Sequence, residues 1–167
     1  MSDMVSYMLK SASAQMMNAM ASTLQKAADY AAKMEIDEAV LLSARLYPDM
    51  ASLTRQVQIA ADTVARGAAR LAGLDMPSFP DTETTINELI ARLKSADAYV
   101  QGVDSAAIDA NAAVLLEIPL GPNTVQWEGR QYLSTFILPN LHFHASIAYA
   151  LLREQGLAIG KRDFLMG

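Results

Sequence analysis

Apolar residues recur along most of this chain at steps of three and four, the spacing that puts them on one face of an α-helix. Over residues 3–34 the stripe is Val5, Leu9, Ala12, Met16, Ala19, Thr23, Ala27, Tyr30 and Met34. Met4, Met8, Met17 and Met20 lie beside it. They read either as a widened core face, methionine being a filler of irregular gaps, or as a second contact face for another subunit. Residues 37–47 follow as a connector with room for a helical turn. Tyr47-Pro48-Asp49 reads as the start of a second helix, because proline suits the first helical position and a carboxylate favours the first turn. Its apolar stripe runs Met50, Leu53, Val57, Ala60, Ala61, Val64, Ala68 and Leu71, and Gly73 ends it.

A loop with two prolines separates that helix from a third. Asp81-Thr82 and Thr85-x-x-Glu88 are both candidate caps. Ile86, Leu89, Ile90, Leu93, Ala96 and Val100 form the buried face, with Gly102 as the stop. The period then changes to two. Val114, Leu116, Ile118 and Leu120 alternate with their neighbours, Gly121-Pro122-Asn123 is a turn, and Val125 and Trp127 resume the alternation. This is the pattern of a short β-hairpin. A fourth helix is expected over 129–155, with Leu133, Ile137, Asn140, His144, Ile147, Ala148 and Leu151 on one face. Pro139 inside it cannot bond the carbonyl of Thr135, which predicts a kink. Four long helices and one hairpin make an all-α four-helix bundle, a single domain over 1–167.

Composition narrows the chemistry. There is no cysteine, so disulfides, thiol nucleophiles, thiolate zinc and iron–sulfur clusters are excluded. Such a chain suits a reducing cytoplasm. The net charge is −5 and the only basic pair is Lys161-Arg162, which argues against nucleic acid, whose phosphates require a basic face. The start Met1-Ser2-Asp3 does not read as a secretory signal. Residues 131–152 carry no formal charge, but Pro139, Asn140, His142 and His144 make a buried helix the better reading than a membrane span.

His142 and His144 are the two histidines. On a regular helix they point about 200° apart and cannot hold one ion together. His144 shares the core stripe and is expected to be buried, whereas His142 faces outward or lies under the tail. The helical neighbours that could join His144 at a metal are Asn140 and Ala148, a poor ligand and a non-ligand. A zinc site would therefore need Asp49 or Asp62 from elsewhere. Asp49, Gln56 and Thr63 recur at a spacing of seven on the second helix. With His144 they could form a small polar pocket, and Trp127 and Tyr149 could line its mouth. Each has a plainer use: a hydrogen-bonded core histidine, a solvated helix flank, aromatics closing a core. Asp62 and Arg66, four apart, read as a surface ion pair, and Lys161-Arg162 as solvated charges.

The last helix and tail also carry a resemblance. Leu138-Pro139-Asn140-Leu141-His142-Phe143-His144, then Ala148-Tyr149-Ala150-x-Leu152-Arg153, Gly156 and Ile159-Gly160-Lys161-Arg162-Asp163-Phe164-Leu165 resemble the C-terminal signature of an uncharacterised bacterial family among the DinB/YfiT-like bundles. Arg45-Leu46-Tyr47-Pro48-Asp49-Met50, Gln56-Val57-Gln58, Ala69-Arg70-Leu71-Ala72-Gly73 and Asp81-Thr82-Glu83 look like the earlier helices of the same family. The resemblance implies a DinB-like bundle with a hairpin before its last helix, often a dimer. Wider relatives hold a divalent metal with three histidines, two of them at i and i+4 on the last helix, and some are thiol-dependent transferases or isomerases. Here His144 matches one position, Ala148 stands in the place of its partner, and the second helix has no histidine. The expectation is a cytoplasmic homodimer paired through the first helix. It binds a small molecule around His144, Asp49, Gln56, Asn140, Trp127 and Tyr149, with no metal or cofactor. The alternatives are a metal-dependent transferase- or hydrolase-like enzyme using His144, and a purely structural dimerising module.

Overall fold

A computed structural model describes residues 4–167. Helix α1 (Met4–Met34) is followed by the short α2 (Glu38–Ser43), α3 (Leu53–Ala72), α4 (Ile86–Gly102) and a further short helix α5 (Ser105–Ala110). Strands β1 (Leu115–Leu120) and β2 (Asn123–Glu128) come next. The last long helix is built from α6 (Gly129–Tyr132), a π-helical segment (Leu133–Ile137) and α7 (Leu138–Glu154), and α8 (Lys161–Met166) closes the chain. The four long helices form the bundle: α1 packs on α4 and α7, and α3 packs on the same two from the opposite corner.

The fold is the four-helix bundle expected from the pattern, with the hairpin where period two appears. The strands are antiparallel, Leu116 opposite Trp127 and Ile118 opposite Val125, across a two-residue turn. Ile118 is fully buried, and Leu116, Leu120, Val125 and Trp127 pack partly buried against the bundle. The chain re-enters the bundle at Gly129. A Cβ there would lie 2.4 Å from the carbonyl oxygen of Asn111, so only glycine allows this backbone crossing.

The caps settle the boundaries. Thr85 and Glu88 make the full reciprocal box at the start of α4, so Asp81 is released for another use. Helix α3 begins later than Tyr47-Pro48-Asp49 suggested. Residues 47–50 form a turn, with Met50 N–H donating to the carbonyl of Tyr47 at 3.0 Å. Ser52 is the N-cap, accepting from Arg55 N–H at 3.4 Å. The serine side chain satisfies an orphan helix donor, which the proline cannot do. Asp49 is consequently outside the helix and exposed.

Just before Pro139, at the place where a kink was expected, the helix takes a π-turn. The N–H of Leu138 donates to Leu133 five residues back. Widening that turn absorbs the bond that proline cannot make. On α1, Met16, Met17 and Met20 are buried, while Met4 and Met8 are exposed. The proposed second stripe of methionines is therefore divided between core and surface. Ser6 N–H donates to Asp109 Oδ1 at 2.9 Å, so α5 supplies a carboxylate to the first turn of α1. No helix among the described residues is long and apolar enough to cross a membrane.

Candidate functional site

Two polar seams flank α3. The first faces α7. Gln56 and His144, four residues past Asn140, meet here: His144 Nδ1 lies 2.6 Å from Gln56 Oε1. Gln56 is itself buried, and its Nε2 donates to the carbonyl of Ala51 at 3.1 Å. That second bond fixes the amide, since reversing it would set two carbonyl oxygens against each other. Oε1 can only accept, so Nδ1 of His144 carries the proton. Burial pushes the His144 pKa below the ordinary histidine value, and the charge of Arg55 pushes it the same way. The imidazole at neutral pH is therefore uncharged, protonated at Nδ1, with its lone pair on Nε2. Nε2 has no hydrogen-bond partner among the described residues.

One helical turn away on α7, Asn140 Nδ2 donates to Thr63 Oγ1 at 2.8 Å, and the threonine hydroxyl donates to the carbonyl of Ile59 at 2.7 Å. Asn140 Oδ1 remains an open acceptor among the described residues. The seam thus presents two acceptors along one face of α7. His144 is half-buried, more accessible than its place on the core stripe suggested, and its ring meets Phe143 edge-on at 5.2 Å. His142 is exposed and donates from Nδ1 to Leu138 at 2.7 Å, pointing away from its neighbour.

The other expected pocket residues are dispersed. Asp49 stays in the exposed turn before α3. Trp127 packs on Phe136 with ring centroids 6.4 Å apart, beside the hairpin. Tyr149 meets Phe164 of α8 edge-on at 5.8 Å. Among the described residues no group of three or more histidines and carboxylates converges in a way that could hold a metal ion.

The second seam, between α3 and α4, was not anticipated. Arg92 is buried on α4 with three carboxylates around it: Asp62 at 2.7 Å, Asp81 at 2.9 Å and Glu83 at 2.8 Å. It also donates to the carbonyl of Pro80 at 3.0 Å, and Phe79 lies against its guanidinium. Gln58 donates to Glu83, and Arg55 reaches Asp81 at 2.5 Å. Burial pushes the Glu83 carboxyl up, but the bonds from Arg92 and Gln58 outweigh it and hold the pKa below the usual range. Arg92 is held above its ordinary value, because Glu83 and Asp62 overcome the cost of burial. Asp62 lies 2.7 Å from Arg92 and 3.6 Å from Arg66, so its main partner is the buried arginine and not the surface one. It is thereby unavailable to a metal near His144. The sequence signal was slight: an arginine in phase with Leu89, Leu93 and Ala96, after a loop carrying three acidic residues.

Comparison with known proteins adds the following. A family profile described as "Domain of unknown function (DUF1993)" matches residues 8–165. A crystal structure of a DinB family member protein from Shewanella denitrificans is 34% identical, with a TM-score of 0.89, and the match covers 100% of this chain and 97% of that one. No curated protein sequence matches.

Proposed function

The chain belongs to the DUF1993 family, a DinB-like group for which fold alone assigns no chemistry, and from the α3–α7 seam we propose that it binds a small neutral molecule through hydrogen-bond donors. The observation carrying this reading is the tautomer that Gln56 imposes on His144. It leaves a lone pair on Nε2, one turn from the open Oδ1 of Asn140. Neither acceptor is sealed from solvent, since Arg92 Nε is the one unpartnered side-chain polar atom that is buried among the described residues, so both are within reach of a hydroxyl or amide N–H from outside. The positive charge of Arg55 disfavours a cationic ligand at the same place.

The same lone pair supports a second reading as a general base, since a neutral imidazole can take a proton from a substrate hydroxyl. A third reading, a dimerising module in the cytoplasm, draws on the exposed Met4, Tyr7 and Met8 of α1. They form an apolar patch that a twofold contact would cover.

Nitrogen-15 NMR of the imidazoles tests the first reading directly. At pH 7 His144 is expected to be neutral and protonated at Nδ1. Titration with a set of small polyols and amides is expected to shift Nε2 and the Asn140 side chain together. A charged ring, an Nε2–H tautomer, or a full titration with no shift at either residue would overturn the proposal.

A further inference from the structure

A second site lies between α1 and α7, under α8, and goes beyond the His144 reading. The bundle interior holds a cavity of about 20 Å³ between α1, α3 and α7, bordered by Met16, Met20, Ala145 and Ala148 and plugged by Phe164. On the outer side of the plug is a surface cleft of about 180 Å³, bordered by Ser146, Tyr149, Lys161 and again Phe164. Phe164 and Tyr149 border both spaces, so Phe164 is part of the wall between them.

The inner space suits only hydrocarbon. Its threonine, Thr23, donates its hydroxyl to the carbonyl of Ala19 at 2.7 Å, and the rest of the lining is mainly aliphatic and aromatic carbon, so a polar guest would lose most of its hydrogen bonds there. The alanines leave room, and the methionines can re-pack around a guest. The space alone holds about one water, but with the phenyl ring withdrawn it gains the volume of that ring. Apolar cavities on the order of 150 Å³ stay dry and bind benzene.

Helix α8 lies along α1, and Phe164 is the side chain it packs against the core. None of its residues is buried. It is held by the exposed Lys26–Asp163 ion pair, by Gln15 Nε2 donating to the carbonyl of Leu165 at 3.0 Å, and by the Phe164–Tyr149 ring contact. Surface pairs of this kind contribute little. Gly156, at φ +99°, and Gly160 flank the segment that leads into it. At the cleft the exposed Lys161 has no ion-pair partner among the described residues, since the acid of α8, Asp163, pairs with Lys26.

We propose that α8 is a lid over a binding site for a small amphiphile. Its hydrocarbon or aryl group replaces Phe164 in the inner cavity, and its carboxylate head meets Lys161 in the outer cleft. The test uses the full chain with 3-phenylpropanoate and its uncharged counterpart 3-phenylpropan-1-ol, followed by calorimetry. Wild type is expected to bind the acid, and Phe164→Ala to bind both compounds at least tenfold tighter because the internal competitor is gone. Lys161→Ala should weaken the acid several-fold and leave the alcohol unchanged. Because the chain has no cysteine, the pair Gln15→Cys with Leu165→Cys offers a unique crosslink between α1 and α8. Oxidised, it should abolish binding to an otherwise native protein; reduced, it should restore it. That arm holds even if Phe164→Ala fails to fold. Absence of wild-type binding, binding confined to Phe164→Ala, or undiminished binding with the crosslink closed would each overturn the lid. An unchanged acid affinity in Lys161→Ala would overturn the head-group assignment. Binding that survives His144→Phe is expected, so this site and the α3–α7 seam fail separately.

Discussion

The two flanks of α3 handle buried polarity in opposite ways. Toward α4, Arg55, Gln58 and Asp62 join a charged cluster in which the guanidinium of Arg92 meets three carboxylates, and among the described residues Arg92 Nε is the buried side-chain polar atom left without a partner. Toward α7, Gln56 and Thr63 make neutral bonds that use one end of His144 and of Asn140 and leave the other end open. A cluster whose charges answer one another ties a loop to the bundle. A pair with an open lone pair has capacity left for something else. By this contrast the α3–α4 seam is architecture and the α3–α7 seam is the candidate site, although the charged seam is the more conspicuous on inspection.

The contrast breaks most sharply at Arg92. Its replacement in Arg92→Ala leaves Asp62, Asp81 and Glu83 facing one another without their shared cation. Breaking a buried charge group from one side costs about 3–5 kcal/mol, and the partial exposure of Asp81 places the expectation at the lower end. Urea unfolding should show the midpoint falling with little change in slope. A loss under about 1 kcal/mol would put the cluster with ordinary surface pairs, and the contrast would collapse.

The second expectation concerns pH. Burial first, and Arg55 second, hold the native His144 pKa below the ordinary value, which is about 6.5. As pH falls below that value the unfolded chain takes up the proton first. Stability therefore declines from there down to the native pKa and levels off below it. Glu83 acts in a separate, lower window. Its native pKa is depressed, so its contribution is present above the ordinary carboxylate value and is lost as pH falls through the native one. Subtracting the profile of His144→Gln from wild type isolates the histidine. A flat difference across the upper window would show that the ring is not held neutral.

The smallest effect is expected at Asn140→Ala. The bond to Thr63 is neutral and partly buried, and the threonine hydroxyl keeps its bond to Ile59, so about 0.5–1.5 kcal/mol is at stake. Thermal unfolding should show a shift of a few degrees at most. A loss as large as that of Arg92→Ala would mean that the α3–α7 seam also serves architecture first.

The sequence by itself determined the four long helices, the hairpin and the core stripes, because burial repeats with the local geometry of each element and needs no knowledge of its neighbours. It also placed Gln56, Thr63, Asn140 and His144 on facing stripes, and these are the residues that meet across α3 and α7. The start of α3 was misplaced because proline and aspartate at 48 and 49 and serine at 52 are rival local signals, and the turn closed by Met50 and Tyr47 decides between them. Only the tertiary structure could reveal Arg92, whose partners come from α3 and from the loop before α4. Only it could assign Phe164 to an interior lined mainly by α1 and α7. A helix pattern records which face is buried, but it does not say which distant charge or ring arrives to meet that face. That depends on the path of the loops, which follows from the packing of the whole chain.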